Sequence, residues 1–437
     1  MLLLVSACAS EAAPQGADTA AGTLGAPDGS ETSPLTAGVG TGQTAETDTD
    51  DTTGTEPGAT ATTDTADSTG VPTPDDVEPT GVPGPYPVGH TTLDIDDPIV
   101  AGRVLPSHIW YPAAAFDESA LVAYELFGSG GFGLQLPSEL AQGDVPASSE
   151  GPFPLVLFSH GGGSMAVQST LLCETLASHG FVVVAPNHPG STLSDTQAGT
   201  QAPLGAAAAD RPRDVRTVLD AMEVLDADEI SLLFGLIDEQ HVGVAGHSFG
   251  GFTALAAAGG YEASGSRPDP RVDAIAPIGA STTLLSQADI AAVDLPTLFV
   301  TGTDDFLLES DVVPAFTTMS AQPRYRVDVE GANHYHFANV CDIGQALIDL
   351  GLGPDAWPSI GAGTLVEIYD STCTQDAFPI AEAHRLQNKY VVGFFRAFLR
   401  EEPEYAGLLT PDHAMACESD VAVWVEEPPV VESADCG

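Results

Sequence analysis

The sequence predicts an α/β fold, a doubly wound and mostly parallel sheet with helices on both faces, and two observations lead to that class. Short apolar runs bounded by turn residues alternate along the chain with longer segments of helical periodicity. Most of these runs lack polar alternation, which is typical of strands buried on both faces of a parallel sheet. The alternation of the two kinds of segment then indicates helices packed on both sides of that sheet.

The sequence predicts seven strands, which share apolar cores. They are GRVLPSHIWYP (102–112), FPLVLFSHG (153–161), FVVVAPNHPG (181–190), HVGVAGHS (241–248), VDAIAPIGA (272–280), LPTLFVTGTDD (295–305) and YRVDVEGANH (325–334). The predicted helices lie between and after them, at 164–180, 211–227, 249–260, 308–321 and 381–401. In such a sheet, functional residues gather where the strands end.

The α/β domain is predicted over residues 86–402, between segments of different character. Residues 9–85 are rich in Thr, Asp, Gly and Pro and poor in bulky apolar residues, which predicts a disordered acidic linker. Residues 1–8, MLLLVSAC, resemble a truncated lipoprotein-type signal that ends in Cys8. Residues 403–437 are predicted to be a C-terminal extension, held by a disulfide.

Charge and apolar patterning restrict the partners. The chain has 12 basic and 62 acidic residues, a formal net charge of −50, which argues against nucleic-acid binding. Surface solvation is the expected role of the acidic side chains. Binding of cations or electrostatic steering of a partner is the alternative. Because no apolar run is long enough to span a bilayer, lipid at Cys8 is the expected membrane anchor. We expect a monomer outside the cytoplasm, in a bacterial cell envelope or secreted.

The cysteines fall into two groups. Cys173 lies in an apolar helical segment and is predicted to be a buried free thiol. Four others lie in the C-terminal quarter, and an exported protein permits disulfides there. Sequential pairing, Cys341 with Cys373 and Cys417 with Cys436, is the simplest hypothesis, although spacing alone does not determine connectivity.

Ser248 is the candidate nucleophile. It lies in Gly-x-Ser-x-Gly, a pattern that a chain with 46 glycines produces easily by chance, so its context decides. Ser248 directly follows a predicted buried strand and precedes a predicted helix, while Gly246 and Gly250 permit a sharp turn between them. A serine on that turn exposes its hydroxyl above the sheet, at a helix N-terminus that favours developing negative charge.

An acid and a histidine follow at later strand ends, in the order that a serine nucleophile on this kind of sheet requires. Asp305, three residues after Gly302, is the preferred acid, with neighbouring Asp304 as the alternative. His334 is the preferred base, because His336 lies further along the loop. A metal site at His334-Tyr-His336 is the competing interpretation of that pair.

Two backbone N–H groups are needed to stabilise an oxyanion. The amide of Phe249, the residue after the nucleophile, is the first candidate. The second is expected from the glycine-rich loop SHGGGS (159–164), where Gly162 is preferred and Gly161 comes next. His160 and His247 are predicted to hold these loops by hydrogen bonds without taking part in the chemistry.

Together, FSHGGGS, LASHGFVVVAPNHPG, RPRDVRTVLDAM, GVAGHSFGG, TGTDDF and GANHYHF resemble the α/β-hydrolase superfamily. Within it, they are similar to the dienelactone hydrolase and platelet-activating-factor acetylhydrolase-like group over residues 86–402. The resemblance implies a serine carboxylester hydrolase without a cofactor, with Ser248, Asp305 and His334 as its triad and the amides of Phe249 and Gly162 as oxyanion donors.

The chain departs from this group in two ways. Dienelactone hydrolases use a cysteine where this chain has Ser248, which argues against that specific activity. An insertion containing Cys341 and Cys373 follows His334 and is expected to shape the acyl pocket, and the segment 191–210 is a second candidate rim loop. Short-acyl esters, including phospholipid acyl groups, are the expected substrates. The alternatives are a polyester or lactone hydrolase, and a non-catalytic surface binding protein on a hydrolase fold.

Overall fold

The computed structural model describes residues 77–126 and 133–426, and its centre is an 11-stranded sheet. The strands are β1 (Val88–Asp96), β2 (Val104–Pro112), β3 (Leu121–Glu125), β4 (Gln135–Gly143), β5 (Phe153–Ser159), β6 (Val182–Pro186), β7 (Ile237–His247), β8 (Val272–Ile278), β9 (Thr297–Gly302), β10 (Arg324–Val329) and β11 (Val421–Glu426). Their spatial order is β11-β10-β9-β8-β7-β5-β6-β2-β1-β4-β3.

Helices surround this sheet. They are α1 (Thr170–Ser178), α2 (Leu193–Ala198), α3 (Leu204–Ala227), α4 (Phe249–Gly259), α5 (Gln287–Ala291), α6 (Val313–Thr318), α7 (Val340–Asp349), α8 (Gly363–Thr372), α9 (Ile380–Leu399) and α10 (Pro411–Cys417). Among the described residues, no helix combines the length and the apolar character needed to cross a bilayer.

The sheet is parallel through its middle, from β6 to β10, and gains antiparallel pairs at β6–β2, β2–β1, β4–β3 and β10–β11. Every residue of β5, β6 and β9 is buried, which explains their uninterrupted apolar sequences. Val156 and Phe158 of β5 pack in a cluster with α1 and α9, whereas Leu155 and Leu157 pack in one with α3 and α4. The predicted fold class is therefore confirmed.

The antiparallel strands β1, β3, β4 and β11 were not predicted. Their sequences mix polar and apolar residues, as in VGHTTLDID of β1, and each leaves part of its side chains exposed. β11 belongs to the segment predicted to be a separate C-terminal extension, yet it pairs with β10 along its whole length. The sheet therefore continues beyond residue 402.

Residues 77–85, assigned to the linker by the sequence analysis, also contact the folded region. The Thr80 hydroxyl donates to the Lys389 carbonyl oxygen at 2.8 Å, and the Glu78 carboxylate accepts from Arg396 at 2.8 Å. Both partners belong to α9. The folded region thus begins before residue 86, because a few specific polar contacts fix a segment whose composition resembles that of the linker.

The segment 191–210 was predicted to be a rim loop, but only part of it is a loop. It contains α2 and the first turns of α3, which begins at Leu204 instead of at the predicted residue 211. Pro212 lies inside α3, and the alanines before it extend the helix. Ala207 and Ala208 are buried, so packing of this apolar turn supports the longer helix.

The insertion after the base contains α7 and α8 and is closed by a disulfide between Cys341 and Cys373, as predicted. Cys173 is buried and unpaired, also as predicted. Cys436, the expected partner of Cys417, lies outside the described residues, as do Cys8 and most of the predicted linker.

Most basic side chains of the described region form ion pairs with carboxylates. These residues are Arg103, Arg213, Arg216, Arg271, Arg326, Arg385, Lys389, Arg396 and Arg400. Nine of the 12 basic residues of the chain are therefore paired with carboxylates.

Candidate active site

Ser248 occupies a strained turn between β7 and α4. Its φ of 59° and ψ of −115° are unusual for a residue with a side chain. Two backbone hydrogen bonds hold the turn: Ser248 N–H donates to the Ile278 oxygen at 2.8 Å, and Ser281 N–H donates to the Ser248 oxygen at 3.1 Å. The side chain is nearly buried, so the turn presents one hydroxyl within a confined site.

Gly246 and Gly250 flank Ser248 because the backbone is too close for a side chain. A Cβ at Gly250 would overlap the Ser159 carbonyl oxygen of β5, and a Cβ at Gly246 would overlap the Gly250 carbonyl group. The spacing of the motif therefore reflects contact between the turn and the neighbouring strand, as the sequence analysis expected.

We expect Gly250→Ala to lower the free energy of unfolding by about 1–3 kcal/mol, because the overlap outweighs the gain in helix propensity. The matched control is Gly205→Ala in the first turn of α3, where the added methyl group meets nothing within 4 Å. Urea unfolding of both variants measures the difference. An equal or higher stability of Gly250→Ala would show that the turn can widen.

Asp305 and His334 meet after β9 and β10. His334 Nδ1 lies 2.9 Å from Asp305 Oδ2 and 3.1 Å from Oδ1, and Leu307 N–H donates to Oδ1 at 2.9 Å. Burial alone would raise the pKa of Asp305, but the charge and hydrogen bond of His334 and the Leu307 amide outweigh it, so the pKa is lowered. Asp305 is thus ionised at neutral pH, whereas neighbouring Asp304 is exposed.

His336 is bound elsewhere. Its Nδ1 accepts from the Asn333 N–H at 2.9 Å, so Nε2 carries the proton and donates to the Phe378 carbonyl oxygen at 3.0 Å. His336 therefore holds the loop that presents His334. Within residues 77–126 and 133–426, no group of three or more His, Cys, Asp or Glu side chains is arranged to bind a metal ion.

The other nitrogen of His334 is not used by Asp305. Its Nε2 is buried and has no hydrogen-bond partner among the described residues. The His334 ring lies 4.6 Å from the ring of His247, the residue before Ser248, and 4.7 Å from the ring of Phe306. A side chain at Gly279 would crowd both His334 and Asp305, so this glycine leaves room for their contact.

The glycine-rich loop distinguishes the two amides considered for the oxyanion. Gly161 N–H donates to Gln168 Oε1 at 2.8 Å, whereas Gly162 N–H has no acceptor among the described residues. A Cβ built at Gly161 would lie 3.4 Å from Ser248 Cβ, so the loop contacts the nucleophile directly. Phe249 is the first residue of α4, where helical N–H groups lack intrahelical acceptors.

Comparison with known proteins finds two similarities. A family model described as "PETase: PET hydrolase-like" matches residues 145–349, a span that contains Ser248, Asp305, His334 and the glycine-rich loop. The sheet and this match support an α/β-hydrolase fold for the chain. A platelet-activating factor acetylhydrolase of Cavia porcellus is 27% identical over 189 residues, which cover 34% of this chain and 43% of that relative. The chain spans less than half of this relative's length.

The site also contains a chain of hydrogen bonds that was not predicted. Gln168 Oε1 accepts from Gly161, and Gln168 Nε2 donates to His247 Nδ1 at 2.9 Å. His247 Nε2–H then donates to the His334 carbonyl oxygen at 2.9 Å. The predicted loop-holding role of His247 is thus observed, and Gln168 connects the glycine-rich loop to the base. Gln168 had no distinguishing signal because it lies within an apolar helical pattern.

A cavity of about 660 Å³ adjoins the glycine-rich loop. Its lining includes Ser164, Met165, Thr192, Leu193 and Tyr124. The segment 191–195 contacts the glycine-rich loop, since Leu193 N–H donates to the Ser164 oxygen at 2.7 Å. This space is large enough for a small organic ligand.

Proposed function

We propose that the protein is a serine carboxylester hydrolase in which Ser248 is the nucleophile, His334 the general base and Asp305 its orienting acid. The buried His334–Asp305 pair carries the proposal, since its hydrogen bond leaves the His334 Nε2 without a partner beside the Ser248 turn. The strained backbone of Ser248 supports the same role, because such strain is retained where surrounding structure enforces it.

The reaction follows from the positions of these groups. His334 Nε2 removes the proton of the Ser248 hydroxyl as its oxygen attacks the ester carbonyl, and Asp305 stabilises the resulting imidazolium. The amides of Phe249 and Gly162 donate to the oxyanion. His334 then protonates the leaving alcohol, and a water activated by His334 hydrolyses the acyl-enzyme to release the acid.

Short-acyl esters are the proposed substrates, with phospholipid acyl groups among them. The acetylhydrolase relative supports a short acyl group, and the cavity beside the glycine-rich loop supplies space for one side of the ester. A polyester is the second candidate. The PET hydrolase-like match favours it, as does Phe306, whose side chain is 53% exposed next to His334 and could stack on an aromatic unit.

We also propose that the enzyme acts outside the cytoplasm, with Cys8 as a lipid anchor. The disulfide between Cys341 and Cys373 supports an oxidising compartment, because disulfides persist there and are rare in the reducing cytosol.

The proposed nucleophile can be tested by covalent labelling. We expect a fluorophosphonate reagent to modify the peptide that contains Ser248 at one equivalent, because the reagent mimics the tetrahedral intermediate of a serine hydrolase. Mass spectrometry of the digested protein identifies the modified residue. A folded protein that remains unlabelled, or is labelled at another serine, would overturn the assignment of Ser248.

The substrate class requires a parallel measurement. p-Nitrophenyl esters of increasing acyl length, a phospholipid with a short second acyl chain and a polyester film are compared by kcat/KM or by product release. We expect the acetate and other short esters to be cleaved fastest. Release of soluble products from the film at a higher rate than short-ester hydrolysis would favour the polyester candidate instead.

A further inference from the structure

Arg211 is completely buried in α3 and forms an unusual set of contacts for a charged side chain. Its guanidinium donates to the carbonyl oxygens of His160 at 2.6 Å and Gly161 at 3.3 Å. It also donates to the hydroxyl oxygens of Ser159 at 3.0 Å and Ser191 at 2.9 Å. Four acceptors from two loops thus converge on one side chain beneath the glycine-rich loop.

The Gly161 carbonyl has a particular importance, because it belongs to the peptide unit that carries the Gly162 N–H. Besides Arg211, it accepts from His160 Nδ1 at 2.7 Å. That nitrogen must bear the proton, since His160 Nε2 accepts from the His188 N–H at 3.1 Å. In a trans peptide, C=O and N–H point in opposite directions, so holding the carbonyl on the protein side directs the Gly162 N–H to the other side.

Arg211 also contacts the residue that carries the other proposed donor. Its guanidinium carbon lies 4.7 Å from the centre of the Phe249 ring, a cation–π distance. Phe249 begins α4 directly after Ser248. Arg211 therefore contacts the carbonyl oxygen of the peptide unit that carries the Gly162 N–H, and it also contacts the ring of Phe249.

The positive charge of Arg211 is compensated within the same buried region. Burial lowers its pKa to about 9, and the charge of Asp214 opposes that effect, so Arg211 is protonated at neutral pH. Asp214 accepts from Arg103 at 2.6 and 2.8 Å and contacts His188 Nδ1 at 2.9 Å. The guanidinium is therefore held in one position by charge as well as by hydrogen bonds.

We propose that Arg211 is a positioning residue of the oxyanion hole: it fixes the Gly161–Gly162 peptide so that the Gly162 N–H faces the oxygen on which negative charge develops. This inference rests on the proposed function. Without the guanidinium, only the His160 hydrogen bond restrains this carbonyl, so the peptide is freer to rotate and to place a carbonyl oxygen where an N–H is needed. Loss of one oxyanion donor costs about 10²–10³-fold in kcat.

The test compares Arg211→Lys and Arg211→Gln with Arg216→Gln. Arg216 lies on the same helix and pairs with Asp269 at 3.7 Å, but the Arg216 side chain is itself 36% exposed. The rate is measured with p-nitrophenyl acetate and expressed per fluorophosphonate-reactive site after complete labelling, so unfolded protein does not contribute. We expect both Arg211 variants to lose about 10²-fold or more in kcat with little change in KM, and Arg216→Gln to retain the wild-type kcat.

A double-mutant cycle with Gly162→Pro, which lacks the N–H, separates positioning from general support of the fold. If Arg211 acts through that N–H, Arg211→Lys lowers kcat much less in the proline background than in the wild type. Fully additive losses would overturn the inference. If the proline variant does not fold, Arg211→Lys decides alone: an unchanged kcat per site, or a rise in KM that accounts for the loss, overturns it.

The proposed function and the positioning role of Arg211 would be contradicted by different results. If the wild-type protein is not labelled at Ser248, the proposed function is wrong. If Ser248 is labelled and the Arg211 variants keep the wild-type kcat per labelled site, the function stands and Arg211 has no positioning role.

Discussion

Ser248→Ala is expected to reduce kcat for p-nitrophenyl acetate by about 10⁶-fold, with any residual hydrolysis arising from the remaining site. The reason is that no other hydroxyl occupies the turn beside the His334 Nε2, and the acyl-enzyme cannot form without it. Stability should change little, since alanine adopts the φ of 59° no more easily than serine. Steady-state hydrolysis and urea unfolding measure the two effects.

Ser281→Ala is the matched control for the nucleophile. Ser281 lies next to the same turn, and only its backbone N–H contacts the Ser248 oxygen, at 3.1 Å, so removal of its hydroxyl leaves that hydrogen bond intact. We expect this variant to keep the wild-type rate. If Ser248→Ala retained wild-type turnover, hydrolysis would have to proceed by a route that does not involve this serine.

Asp305→Asn is expected to lower kcat by about 10⁴-fold while the fold is retained. The amide can present its NH₂ group to His334 Nδ1, which then holds its proton on Nε2 and cannot accept the proton of Ser248. The imidazolium formed during attack also loses the carboxylate that stabilises it. The measurement is kcat over a range of pH, because partial recovery at high pH would reflect reaction through the remaining basic groups.

The neighbouring residue supplies the control. Asp304→Asn removes the same charge one position earlier, but Asp304 is exposed and its N–H binds the Ala332 oxygen through the backbone alone. We expect nearly normal kcat for this variant. Equal losses for both variants would mean that the general negative charge of the loop, and not the hydrogen bond to His334, is responsible.

The positions of the candidate site could be predicted because they depend on short segments. Ser248, Asp305 and His334 each follow a strand that is buried on both faces, and such strands have distinctive apolar sequences. The glycines of the turn were informative for the same reason, since only a missing side chain permits the contact of Gly250 with β5.

Residues that support the site could not be predicted from local patterns. Arg211 and Gln168 act across more than forty positions of sequence, at His160 and His247 respectively. A buried arginine in an amphipathic helix looks like any charged helical residue until the fold brings carbonyl oxygens to it. Only the tertiary structure shows that its charge is enclosed.

The edges of the sheet escaped prediction for a different reason. β1, β3, β4 and β11 are exposed on part of their surface, so they tolerate Thr, Asp and Glu, and their alternation is interrupted. Their strand structure comes from pairing with partners such as β10, whose full-length pairing with β11 no local pattern reveals.

The ion pairs that occupy most of the basic side chains have a consequence for turnover. Ester hydrolysis creates a carboxylic acid that ionises at neutral pH, so the product acquires a negative charge that the ester lacked. A chain with a net charge of −50, in which most basic side chains of the described region already pair with carboxylates, repels that product. The negative electrostatic potential of the chain thus favours departure of the acid product over its rebinding. The same potential disfavours the entry of esters that already carry negative charge.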